Sequence, residues 1–223
     1  MPTTPTGKSV SVTDDRLVRR LLEEAGTTYA HEAGIGLADK PMPLFQLLTL
    51  CMLASKPIDA TIAMQAAREL FRAGLRTPQS VLDADRAKMI SAFGRAHYVR
   101  YDESSATRLA DIAHVVRDDY GGDLRQLAAR SGHDVKGAKR LLMQFNGIGN
   151  TGATIFLREV QDIWTWARPY FDERAISAAR ELGLPTDAGA LGALAARSNA
   201  KLAAALVRVS LDDGLRDKVL QSQ

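Results

Sequence analysis

One continuous apolar stretch constrains the fold of this chain more than any other feature. Residues Leu44 to Ala54, LFQLLTLCMLA, are apolar on nearly every side of a helix. The stretch is too short to cross a bilayer, which takes about 20 apolar residues. We therefore expect a central helix that other elements bury on all sides. A chain of 223 residues can supply those elements as one domain or as two small lobes.

The rest of the chain predicts helices, because no segment alternates apolar and polar residues as a strand would. We expect an all-α fold of about ten helices after a disordered tail over residues 1–12, which is rich in Pro, Thr and Ser. The predicted helices cover residues 14–25, 44–54, 59–71, 78–84, 86–93, 103–120, 124–129, 135–145, 151–160 and 172–182, with Ala-rich helices starting at Ala188 and Asn199. Residues 31–43 and 163–171 are predicted loops, and the last few residues are expected to fray.

Charge and cysteine content exclude some classes of protein. The net charge is only +3, from 29 basic and 26 acidic residues, which permits binding to a polyanion without arguing for it. Cys51 is the single cysteine, so the chain cannot form an internal disulfide or a multi-cysteine metal site. The N-terminal segment lacks the apolar core of a secretory signal. We expect a cytoplasmic, nucleoid-associated monomer with no cofactor, no metal and no membrane partner.

A glycine turn between two predicted helices is the first candidate binding site. Gly147 and Gly149 flank Ile148, which would point into the core and brace the turn. Such a turn exposes unpaired backbone N–H groups at a helix N-terminus, where an anion such as a nucleic-acid phosphate can bind. The alternative is an ordinary helix connector, because this spacing is a weak pattern by itself. The residues predicted to contact DNA here are Asn146, Gly147, Ile148, Gly149, Asn150 and Thr151.

A single acid, Asp172, opens the helix that follows the next loop. Asp is a common helix N-cap, and Phe171 could pack against Ile176 as a hydrophobic staple. The helix N-terminus keeps such a carboxylate ionised, which suits stabilisation of a developing oxocarbenium ion. Capping and catalysis do not exclude each other, so both interpretations stay open for Asp172.

These two features together resemble a known family. The segment LMQFNGIGNTGATIFL, followed by FDERAISAARELGL, resembles the helix-hairpin-helix DNA glycosylases of the endonuclease III superfamily. Their hairpin reads L-P-G-(V/I)-G-x-x-(T/S)-A, and an Asp-led helix ending in L-G-L follows. Asp172 takes the position of the family's catalytic aspartate. The segments starting at Pro43 and Leu53 look like the family's P-F-x-L-L and L-S-x-Q-x-x-D elements. The resemblance thus covers roughly Pro43 to Pro185.

The resemblance implies two lobes. A six-helix barrel would take residues 41–161 and include the helix-hairpin-helix at about 139–158. Residues 13–40 and 162–223 would form a discontinuous second lobe. Double-stranded DNA would lie between the lobes, with Asp172 facing a base rotated out of the duplex.

Four departures from the family pattern narrow the implied activity. Thr151 replaces the lysine that forms a Schiff base in bifunctional members, so strand cleavage by that route is not available. The iron–sulfur cysteines are absent, and Met52 stands near the glutamate position of the adenine-removing branch. Lys56 replaces the glutamine that fills the gap left by the flipped base. It could fill that gap, contact a phosphate or remain solvated.

Weaker candidates flank the main motifs. Lys139 could add a phosphate contact, although a solvated helix face is the alternative. Trp164, Trp166 and Tyr170 could stack on a flipped base, or the tryptophans could serve in packing.

The sequence therefore predicts a monofunctional DNA N-glycosylase of base excision repair, with Asp172 as its catalytic carboxylate. Two alternatives remain open: a non-catalytic DNA-binding relative that keeps the hairpin, and an unrelated helical interaction protein. The sequence does not predict which base is removed.

Overall fold

The computed structural model describes residues 12–221, with Val12 and Thr13 described by their backbone alone. Helices and no β-strands form the regular structure of these residues, which confirms the predicted all-α class. Residues 1–11 of the predicted tail lie outside the described residues, and Val12 begins the first helix. In the described part of the chain, no helix is both long and apolar enough to cross a membrane.

The helices are numbered in chain order. They are α1 (Val12–Ala25), α2 (Tyr29–Glu32), α3 (Pro41–Ala54), α4 (Ala60–Arg72), α5 (Pro78–Leu82), α6 (Arg86–Arg95), α7 (Asp102–Tyr120), α8 (Arg125–Arg130), α9 (Val135–Leu142), α10 (Asn150–Val160), α11 (Glu173–Glu181), α12 (Ala188–Ala193), α13 (Asn199–Val209) and α14 (Asp213–Leu220). A 3-10 helix, Thr165–Ala167, lies between α10 and α11.

Several helices differ from their predicted bounds. The predicted loop over residues 31–43 overlaps the end of α2. The Thr28 side chain caps the start of this helix by accepting a hydrogen bond from the His31 N–H at 3.2 Å. The same loop contains the start of α3, because Pro41 fits the first turn, where no N–H partner is needed. Helix α14 is an addition, capped by Asp212, which accepts from the Leu215 N–H at 2.9 Å. The predicted loop over residues 163–171 contains the 3-10 helix.

The described chain divides into two compact units, one made of residues 28–168 and the other of residues 12–27 and 169–221. In the first unit, α3 packs against α4, α7 and α10. Every α3 residue from Pro43 to Leu53 is buried, as expected for a helix that is apolar on all sides. This central helix positions α10 and the turn that precedes it.

The second unit is built around α13, which packs against α1, α11 and α14. Its core contains Leu21 of α1, Ala179 of α11 and Leu206 of α13, all fully buried. This unit carries Asp172 at the start of α11.

The division differs from the predicted one, which assigned residues 28–40 and 162–168 to the lobe that carries Asp172. Hydrogen bonds tie both segments to the unit built on α3 instead. The Ala30 N–H donates to Glu159 Oε2 of α10 at 2.8 Å, and Arg168 Nε donates to the Gln161 carbonyl, at the end of α10, at 3.1 Å. These bonds attach the segments before α3 and after α10 to this unit.

Cys51, in the middle of α3, predicts a pH dependence of stability. Burial raises the pKa of its thiol well above the usual value, and the charge of Glu159 adds to that effect. A raised pKa in the folded state means that the fold favours the neutral thiol. The stability that depends on this neutral thiol is fully present below the unfolded pKa of about 8.5 and is lost as pH rises. Relative to Cys51→Ala, the native protein should lose about 1.4 kcal/mol of unfolding free energy per pH unit above about 8.5. Urea unfolding at two alkaline pH values would measure this, and parallel curves for both proteins would contradict it.

Candidate functional site

The predicted glycine turn connects α9 to α10. Gly147 has φ +87°, a backbone conformation that glycine adopts without the penalty that a side chain would bring. Ile148 is 3% exposed, and its N–H donates to the Phe145 carbonyl at 3.0 Å. Ile148 therefore braces the turn from the core side, and its side chain is not available to a ligand.

Two glycines let this turn approach its neighbours closely. A Cβ at Gly147 would lie 2.6 Å from Arg108 Cδ and 3.2 Å from Met52 Cγ. A Cβ at Gly152 would lie 2.5 Å from Ser55 Oγ. The hairpin thus packs on the end of α3 and on the Arg108 side chain of α7. It can lie this close only because Gly147 and Gly152 have no side chain.

The N-terminus of α10 presents unpaired backbone donors. Gly149 is its N-cap and offers no side chain to cap it. The N–H groups of Asn150, Thr151 and Gly152 have no acceptor among the described residues, whereas Ala153 donates to the Gly149 carbonyl at 3.0 Å. A Cβ at Gly149 would meet nothing within 4 Å, so a ligand can approach the backbone there. Unpaired donors at a helix N-terminus favour an anion.

An open groove of about 540 Å³ runs along the turn. Its lining consists of Ser55, Lys56, Arg108, Met143, Gln144, Phe145, Asn146, Gly147, Ile148, Gly149, Asn150 and Thr151. Lys56 and Arg108 are its two cationic side chains, and no acidic residue lines it. Backbone donors and positive charge therefore meet in one concave surface, which is the arrangement an anionic ligand requires.

Two side chains of α7 that the sequence analysis missed support this groove. Arg108 lines it, and Asp111 accepts a hydrogen bond from Asn146 Nδ2 at 2.6 Å. Neither has a local sequence signal, because Asp111 lies 35 residues before Asn146 and only tertiary packing brings them together. Asn146 is thereby held by the protein at the edge of the groove.

The structure brings together only some of the residues predicted to bind DNA. Lys56 joins the hairpin in the groove, and its Nζ lies 5.7 Å from the centre of the Tyr101 ring. Lys139 is half-buried on α9 and does not line the groove. Its predicted phosphate contact therefore has no support from the groove geometry.

The tryptophans lie in the same unit as the hairpin but outside the groove lining. Trp164 is 3% exposed, with ring centres 5.5 Å from Phe156 and 5.3 Å from Trp166, which agrees with the packing alternative for this residue. Trp166 is half-buried, and its ring meets that of His133 edge-on at 5.5 Å. Trp164 cannot stack on a base without leaving this cluster.

Asp172 and Tyr170 belong to the other unit. Asp172 is half-buried and is the N-cap of α11, where its Oδ1 accepts from the Ala175 N–H at 2.9 Å. Asp134, Asp187 and Asp212 make the same capping bond at their own helices. The predicted cap is therefore present, and the capping bond itself is the same as those of the other three aspartates.

No group of three or more His, Cys, Asp or Glu residues that could hold a metal ion occurs between residues 12 and 221. In comparisons with family models, curated proteins and solved structures, nothing matches this chain. The chemistry of the site must therefore be argued from its own residues.

The two turn glycines should differ sharply in their tolerance of a side chain. Gly147→Ala should lower the unfolding free energy by about 2 kcal/mol or more, because it combines a positive φ with a contact to the Arg108 stem. Gly149→Ala should change it by less than about 1 kcal/mol, because φ is −92° and the site is open. Urea unfolding measures both, and equal losses would contradict this description of the turn.

Proposed function

We propose that the chain is a helix-hairpin-helix DNA glycosylase of the endonuclease III type that binds double-stranded DNA through the groove beside α10. The observation that carries the proposal is the groove itself. It combines unpaired N–H groups at Asn150 and Thr151 with the cations Lys56 and Arg108. The helix-hairpin-helix would occupy about residues 139–158, in a six-helix barrel of a two-lobed fold.

A DNA phosphate fits the groove better than a small neutral ligand does. Backbone N–H groups and cations are the donors that protein–DNA interfaces direct at phosphate oxygens. The groove is open, so a polymer can enter it and continue on either side. Its backbone donors carry no base information, so the contact would position the duplex without reading sequence.

Asp172 would supply the chemistry. An ionised carboxylate stabilises the positive charge that develops on the sugar as the N-glycosidic bond breaks, and it can orient the attacking water. The released base takes the bonding electrons, the water oxygen bonds to the sugar carbon, and the proton that water loses neutralises the base, which leaves an abasic site. Thr151 carries a hydroxyl, which cannot form an imine with the sugar, so the product strand should remain intact.

A second candidate function is DNA binding without turnover. One observation favours it: Asp172 makes the same capping bond as Asp134, Asp187 and Asp212, which is a structural role that needs no catalysis. A relative that keeps the groove but has lost catalysis would keep this aspartate for stability.

Asp172→Asn separates the two candidates. Asn caps helices about as well as Asp, so stability should stay within about 0.5 kcal/mol. If Asp172 is catalytic, alkali-dependent breaks in duplexes carrying uracil, alkylated purines, oxidised bases or mismatches should fall by about 100-fold or more. Asp187→Asn, at a matched cap in the same unit, should leave both stability and activity unchanged.

The other outcomes are equally informative. Salt-sensitive binding without breaks in any duplex would favour the non-catalytic candidate, whereas no binding at low salt would refute both. Borohydride trapping of a covalent complex would refute the monofunctional assignment and would implicate a lysine such as Lys56.

A further inference from the structure

Arg108 is a groove residue that forms no salt bridge with any carboxylate in the described part of the chain. It lies on α7, and its Cγ and Cδ fill the space in front of Gly147, where a Cβ would approach to 3.4 and 2.6 Å. The side chain is half-buried and lines the groove. Its aliphatic stem is therefore part of the hairpin packing, which leaves the guanidinium as the group that can bind a ligand.

The guanidinium has no partner in the part of the chain that the structure describes. Its Nη1 is buried without a hydrogen bond, and no carboxylate among residues 12–221 forms a salt bridge with it. The acid nearest along α7, Asp111, has its Oδ2 engaged by Asn146 at 2.6 Å. A buried donor without an acceptor and a cation without a counter-charge both destabilise a folded protein.

An anion in the groove would supply both missing partners. Because Arg108 lines the groove, its guanidinium would reach an anion there by rotating about its own side-chain bonds. Its planar donor fork matches the oxygens of a phosphate, which a lysine ammonium at the same place would not. If this position served only the fold, an apolar side chain of similar length would make the protein more stable than arginine does.

We propose that Arg108 is a DNA-phosphate ligand, held unpaired in the free protein so that the phosphate bound at the hairpin becomes its partner. This inference rests on the proposed function, since it takes a phosphodiester of duplex DNA as the anion. It adds a cation from α7 to the backbone donors of α10.

The test compares Arg108→Met with the native chain in two measurements. Met retains an apolar stem of similar length, so the melting temperature of the free protein should stay equal or rise. The dissociation constant for a short duplex should increase by about ten- to a hundredfold, because a charge-assisted contact is lost. The slope of log affinity against log salt should become shallower by about 1, as expected for one phosphate contact.

Two further variants serve as controls. Arg68→Met removes the same charge from an exposed site on α4 outside the groove lining and should leave the slope unchanged. Arg108→Lys should keep the slope, because the charge remains, while binding weakens with loss of the fork.

The outcomes separate this inference from the proposal on which it rests. If Arg108→Met melts lower and binds DNA with an unchanged salt slope, Arg108 is a packing residue and the inference is wrong, although the native chain still binds. If the native chain itself binds no duplex, the proposed function fails, and this inference fails with it.

Discussion

The structure depends on how closely the hairpin approaches the end of the buried helix α3. Burial of α3 on all sides fixes its last turn, where Met52 and Ser55 form the surface on which the hairpin lies. Gly147 and Gly152 have no side chains, so the backbone of the turn and of α10 can come within van der Waals distance of that surface. A central helix built for packing thus determines where the N–H groups at the start of α10 point.

Donors and charges in the groove come from three separate parts of the chain. The N-terminus of α10 provides backbone donors, Lys56 follows α3, and Arg108 lies on α7. None of these would bind an anion strongly alone, since a single exposed charge or helix end contributes little in water. Brought together in one groove, they would hold a phosphate, as proposed, more tightly than any of them alone.

Sequence patterns predicted local features well and tertiary ones poorly. Periodicity and capping rules predicted the apolar run of α3, the glycine turn and the Asp172 cap. Each of these features depends only on residues that are close together in the sequence. Arg108 was missed because its position in α7 looks like any arginine beside a buried leucine, and only the fold places it against Gly147. The placement of the segment before α3 depends on the same kind of information, since a hydrogen bond between Ala30 and Glu159, 129 residues apart, holds it.

Amide NMR of the 15N-labelled protein tests most directly whether backbone donors of the hairpin hold DNA. On titration with a short duplex at low salt, the largest shift changes should fall on the amides of Gly149, Asn150 and Thr151 and should disappear at high salt. Amides of exposed helices outside the groove, such as α4, should move little. Binding that leaves the three hairpin amides unchanged while shifting residues elsewhere would contradict the account, because the phosphate would then lie outside this groove.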